Sequence, residues 1–314
     1  HCQSNDEIAP ATREIIGRVA LDFIAHFEQS PVDARMQMSR RGRAATMERA
    51  PLENAANAYR SVETSGPRAV SEAYLLRYSS GSETGAHVPC DLRDGRAIFI
   101  GRGGTSTSAV VLLKDELPGR SKRTTSVWLE HEGGAWRVRA FTVSPSTIVG
   151  RGAEQLWAAA REQRAKGNDF NATMLYGAAR SAQQLGPYYQ GRISQDFNSD
   201  LRTFTAPEML QGDAPHAWTL GGESFSVSQV QYTGFGSGEV ALIIEHTIAA
   251  GATNEAADIA NRRLIDGFDA AYPEWREVFD AVAARSHRPD SNQAWGTVFN
   301  RMTGYTAPPP VSAE

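Results

Sequence analysis

"SVWLEHEGGAWRVRAFTV", residues 126–143, sets two runs of alternating apolar and polar residues on either side of Gly133-Gly134. That is the pattern of a β-hairpin with a tight glycine turn. Neighbours in an extended chain point to opposite faces, so Val127, Leu129 and His131 share one face while Trp128 and Glu130 share the other. Glu130, His131 and Glu132 resemble an acid–base or metal cluster when read as letters. Alternation keeps Glu130 and His131 from converging on one atom, so the cluster reads as the polar end of a hairpin, with Trp128 and Trp136 anchoring its strands.

Outward from the hairpin, the period stays at two from about Ser71 to Val143. "SEAYLLRYSS" (71–80), "RAIFIGRGG" (96–104), "TSTSAVVLLKDE" (105–116) and "RTTSVWLEHE" (123–132) are strand-like runs between turn residues. Short connections predict that successive runs pair antiparallel in a meander. Upstream, "PATREIIGRVALDFIAHFEQSP" (10–31) carries Ile16, Val19, Ala20, Phe23 and Phe27 at helical spacing and ends before Pro31. Ser30-Pro31 then opens a second helical stretch. It holds Arg35, Arg40, Arg41, Arg43 and Arg49 against Glu48 alone. The segment reads first as a solvated helix face and second as a docking patch for phosphates, lipid headgroups or an acidic partner.

Helix pair, strands and a closing hairpin of the form W-x-x-x…G-x-W-R-V resemble the nuclear-transport-factor-two-like family of cone-shaped α+β barrels over residues 10–145. That resemblance implies a cavity on the concave face of the sheet, with Tyr74, Tyr78, Asp91 and His131 as its polar candidates. The family spans ketosteroid-isomerase-like enzymes and non-catalytic binding domains, and its catalytic acid or base maps onto none of these residues. Residues 154–187, "EQLWAAAREQRAKGNDFNATMLYGAARSAQQLGP", form a helical hairpin turning at Gly167-Asn168 and resemble a single tetratricopeptide unit. No second copy follows, so a helical spacer or the opening helices of a second domain is expected ahead of a peptide-binding groove, and a solenoid is not.

Cys2 followed by "QSNDE" resembles the tether of a bacterial lipoprotein cut at its lipidated cysteine, with His1 ahead of that cysteine as a departure from the pattern. Cys90 in "HVPCDLRDG" is the only other thiol, so a lipid at Cys2, a Cys2–Cys90 disulfide and two unpaired thiols all stay open. Two isolated cysteines lack the spacing of a metal site. The seven histidines are scattered with none four residues from another. "FIGRGGTSTS" and "YTGFGSGE" look like phosphate loops, but strand-like runs follow both where a helix N-terminus is required.

The second half continues with strands in "ESFSVSQVQYTG" (223–234) and "SGEVALIIEHTIAA" (237–250). Thr253 caps a helix with Ala260, Leu264, Phe268 and Tyr272 in line. Pro273 interrupts it, and a further helix is expected with Trp275, Val278, Phe279 and Val282 as its stripe. "NQAWGTVF" adds a last strand.

The 314 residues, 41% hydrophobic with a formal charge of −4, suffice for two cores and give no global basic field for a nucleic acid. The fold class expected is α+β: N-terminal helices on an antiparallel sheet, a central helical hairpin and a second, smaller α+β domain. Its expected divisions are a flexible tether at 1–9, a domain at 10–148, a hairpin linker at 149–200, a second domain at 201–302 and a Pro-rich tail at 303–314. Function is expected as an extracytoplasmic, lipid-anchored accessory, scaffold or binding protein with a protein partner in a membrane-associated complex. The alternative is a small-molecule-binding or isomerase/hydrolase-type enzyme of the cone-shaped barrel family. No cofactor, metal or nucleic acid is implied.

Overall fold

The computed structural model describes residues 1–45, 56, 66–78, 86–92, 95–101, 106–117, 122–183, 189–190, 192–235, 239–291 and 293–306. It is an α+β fold whose chain divides into two compact units. The first comprises residues 1–147 and 181–199, the second residues 148–180 and 200–314. The expected linker at 149–200 is thus shared between the two units.

In the first unit, α1 (Pro10–Gln29) starts with Pro10 in its first turn and buries Ile16, Ala20, Phe23, Ile24 and Phe27. Ser30 ends it by donating its backbone N–H to His26 O at 2.7 Å, ahead of Pro31. The second helical stretch is broken into α2 (Pro31–Ala34), a 3-10 turn and α3 (Arg40–Ala45).

The main sheet runs β1 (Cys2–Ser4), β2 (Ala69–Arg77), β5 (Thr107–Glu116), β6 (Lys122–Glu132), β7 (Ala135–Thr147), all antiparallel. β3 (Ala86–Leu92) and β4 (Gly95–Gly101) do not join this meander, as the run order had suggested. They pair with β8 (Tyr189–Gln190) in a separate three-stranded sheet. The reason lies in β5, where Val110 to Leu113 are all buried, so the strand is apolar on both faces and needs a layer on each. Ala109, Val111 and Leu113 meet α1, whereas Val110 and Leu112 meet Val88, Cys90 and Phe99 of the β3–β4 hairpin.

Within residues 1–9, expected as a flexible tether, Cys2–Ser4 form a strand of the sheet and Asn5–Glu7 a 3-10 turn. β1 pairs with Tyr74–Leu76 of β2, the Glu7 carboxylate accepts from the Ser4 backbone N–H and hydroxyl, and Asn5 Oδ1 accepts from Ala73 N–H at 2.9 Å. These bonds, with Asp6 accepting from Arg13 of α1 at 2.6 Å, are what holds such a segment in place.

The second unit carries α4 (Ala153–Ala165) and α5 (Asp169–Gln183), turning at Gly167 with φ 81°, then α6 (Arg192–Arg202), whose last residues belong to it. Its sheet has the order β14-β13-β12-β11-β10-β9. These are β9 (His216–Leu220), β10 (Glu223–Phe235), β11 (Glu239–Thr247), β12 (Ala281–His287), β13 (Ala294–Asn300) and β14 (Gly304–Tyr305). β11 and β12 are parallel, which requires a crossover, and α7 (Asn254–Ala271) supplies it. Thr253 caps α7 through its side chain, accepting from Ala256 N–H, as expected.

The helix expected after Pro273 is a 3-10 turn at Pro273–Glu277 that gives way to β12. Ala281–Ala284 are buried between β11 and β13, so sheet pairing overrides the helical preference of the alanines. Trp275 and Phe279 still enter the core, with Trp218, Leu264 and Phe268. The expected tail at 303–314 begins with β14, which pairs with β13, and residues 307–314 lie outside the described residues.

Candidate functional site

A disulfide joins Cys2 on β1 to Cys90 on β3, with Cα atoms 5.4 Å apart across a sequence separation of 88. It fastens the edge of the main sheet to the small sheet above it. A bridged Cys2 has no thiol left to form a lipid thioether, so the two modifications exclude each other at this residue.

The four polar residues proposed to line one cavity do not share a face. Tyr74 and Tyr78 belong to the side covered by the β3–β4 hairpin, where Phe99 packs tilted against Tyr74 and edge-on to Trp128, with centroids 4.9 and 5.9 Å apart. Tyr74 is buried and its hydroxyl donates to the Glu72 carboxylate. Burial pushes the Tyr78 hydroxyl above its ordinary pKa, a hydrogen bond with Ser108 opposes that, and nearby Glu130 adds to it. His131 is exposed on the α1 side, edge-on to Trp136 at 5.2 Å. Asp91 lies on β3, and its side chain is outside the described residues. Both faces of the sheet are filled: α1 packs one and the hairpin the other.

The opening hairpin needs a correction of its own. Glu130 is not a solvated turn residue; it is 6% exposed on the Trp128 face, with Arg139 Nε 3.5 Å from its carboxylate. A register shift between Trp128 and Leu129 inserts Arg139 as the extra β7 residue and brings it within reach of Glu130. Glu132 accepts from the Arg40 backbone N–H at 3.1 Å.

The arginine segment is only partly a free patch. Arg35 Nη2 donates to Arg43 O at 3.0 Å and Arg43 Nη1 to Met38 O at 3.1 Å, so these two guanidinium groups brace their own loop. Arg40 and Arg41 stay exposed, and Arg49 lies outside the described residues. Gly42 lets α3 approach the hairpin, since a Cβ there would sit 2.8 Å from the carbonyls of Val138 and Arg139.

An open groove of about 1370 Å³ runs along α1 and β2, lined by Arg13, Glu14, Arg18, Glu72, Tyr74 and Lys114 among others. Its charges are matched internally: Arg13 with Asp6 at 2.6 Å, Arg18 with Glu14 at 2.5 Å and Lys114 with Glu72 at 3.9 Å. Glu7, whose carboxylate accepts from Ser4, is the one further charge, so the lining is a mixed polar surface without a strong field for a charged small molecule.

No family model matches the chain, and neither does any curated protein or solved structure.

Two buried polar clusters escaped the reading of the sequence. In the first unit Asp115, 1% exposed, accepts from Arg68 Nε at 2.8 Å and from Arg123 Nη2 at 2.7 Å, while Arg68 also reaches Glu28 at 2.7 Å. Alternation along β5 put Asp115 in phase with Ala109, Val111 and Leu113, a signal that a carboxylate points inward and needs cations. In the second unit a chain of hydrogen bonds runs through the core. His246 Nε2 lies 2.7 Å from Asn261 Oδ1, Asn261 Nδ2 donates to Thr297 Oγ1 at 3.1 Å, and Thr297 donates to Asp258 Oδ1 at 2.7 Å. Because the Asn261 oxygen accepts, His246 must carry its proton on Nε2. Burial pulls its pKa below the ordinary value against the support of Asn261, and His287 adds to the lowering.

Among the described residues, no three His, Cys, Asp or Glu side chains gather as a metal site, and no helix is long and apolar enough to cross a membrane.

Proposed function

We propose that the chain is an extracytoplasmic binding or scaffolding protein, acting as an accessory subunit of a membrane-associated assembly. The observation that carries the reading is the Cys2–Cys90 bridge, because structural disulfides persist where thiols are oxidised. A surface role is supported by the packed layers on both faces of the N-terminal sheet, which leave Tyr74 and His131 on opposite sides instead of around a shared chamber. With Cys2 bridged, contact with the membrane comes through a protein partner and not through an acyl chain. The cone-shaped barrel resemblance remains a proposal for residues 10–145, supported by α1 lying across an antiparallel sheet.

Fractionation of the native source tests this. The protein should sediment with membranes, leave them under alkaline carbonate without detergent, and cross-link to a membrane-bound protein before that wash. Retention until detergent is added, or recovery in the reducing cytoplasmic fraction, would sink the reading.

A further inference from the structure

Most strand edges of the two units are short or guarded. β1, β8, β9 and β14 are two to five residues long. β7 carries Arg137, Arg139 and Pro145, and its Val138 O is taken by Ser39 N–H. β2 has a register shift between Val70 and Glu72, and beside it the Asn5 side chain takes the Ala73 N–H. These are the usual means of refusing an incoming strand.

β10 differs. It too has a register shift, between Val227 and Gln229, but β9 covers it only over Glu223–Val227, while β11 pairs with the other side from there as far as Phe235. Among the described residues no strand or backbone hydrogen bond meets the outer side of Gln229–Gly234. That stretch, "QVQYTG", has neither a charge nor a proline, and no charge occurs from Phe225 to Gly238. Val230 and Tyr232 pack on the second core, so Gln229, Gln231 and Thr233 project from the opposite face.

We propose that this edge pairs antiparallel with the same edge of a second copy of the chain, joining two six-stranded sheets across a two-fold axis. Neutrality is what selects the second copy. A charge on a self-pairing edge would meet its own like near the axis, whereas a foreign strand could be chosen by opposite charge. Gln and Thr side chains each donate and accept, so each satisfies its own kind with no orphan. The proposal rests on the interaction role given above. Its readout, a mass in solution, is independent of the fractionation and thiol chemistry that test that role.

Analytical ultracentrifugation of the full, oxidised chain decides it. The mass should rise with concentration from the 34.1 kDa monomer to twice that value. The Gln231→Lys/Thr233→Lys variant should stay monomeric, and an equimolar mixture with Gln231→Glu/Thr233→Glu should restore the doubled mass. Circular dichroism checks that both variants are folded, and Thr233→Lys alone replaces the double variant where it is not. A wild type that remains monomeric at every concentration overturns the proposal, and so does a lysine variant that dimerises as the wild type does.

Discussion

Cys2 and Cys90 join β1, the edge strand of the main sheet, to β3 in the sheet that covers it, closing a loop across a sequence separation of 88. One covalent bond therefore holds the first segment of the chain against a layer formed much later in the sequence. A loop of that length removes considerable freedom from the unfolded chain. Cys90→Ala should lower stability by about 2–4 kcal/mol, measured by urea denaturation, with a similar loss when the wild type is reduced. An unchanged midpoint after reduction would mean that the bond contributes nothing to the fold.

Asp115 lies between Arg68 and Arg123, with side chains 1%, 14% and 6% exposed. Removing the one carboxylate common to both guanidinium groups takes the shared anion from between two buried cations, with Glu28 still paired to Arg68. Asp115→Asn should cost about 3–5 kcal/mol in chemical denaturation. Asp6→Asn, at an ion pair whose side chains are 41% and 84% exposed, should stay within about 1 kcal/mol of wild type. Equal losses at the two positions would contradict this reading of burial.

His246 is held neutral, burial keeping its folded pKa below the ordinary histidine value. The unfolded chain therefore takes up a proton that the folded one resists. The stability tied to this group is fully present above about pH 6.5 and is lost as pH falls through the lower folded pKa. The melting temperature should drop on acidification in that window, and His246→Gln should flatten the dependence. A slope that persists in His246→Gln would assign it to other groups.

Gly133 and Gly134 both have positive φ, 60° and 82°, with nothing within 4 Å of a Cβ built on either. The constraint is conformational and not steric. Gly133→Asn, which tolerates this region, should fold with almost wild-type stability. Gly134→Val should cost about 1–2 kcal/mol in thermal melts, and an inversion of that order would contradict a turn of this kind.

Much of the fold was legible because it depends on local periodicity. α1, the α4–α5 hairpin, the Thr253 cap and the β6–β7 turn all follow from spacing and turn chemistry within one segment. What escaped depends on partners distant in sequence. β1 is a strand because β2 offers an edge, and Ala281–Ala284 are extended because β11 and β13 flank them. Glu130 looked solvated beside two glycines until the Arg139 bulge placed a cation against it. The proposed pocket residues were close in sequence pattern, but Tyr74 and His131 fall on opposite faces of the same sheet.

Intact mass spectrometry of the native protein, with and without reduction, bears most directly on the oxidised, extracytoplasmic reading. Reduction should add two hydrogens to the mass, with alkylation at Cys2 and Cys90 appearing only after reduction and one non-reduced peptide joining the two residues. A diacylglyceryl-sized addition at Cys2, or two thiols alkylated without reduction, would contradict it.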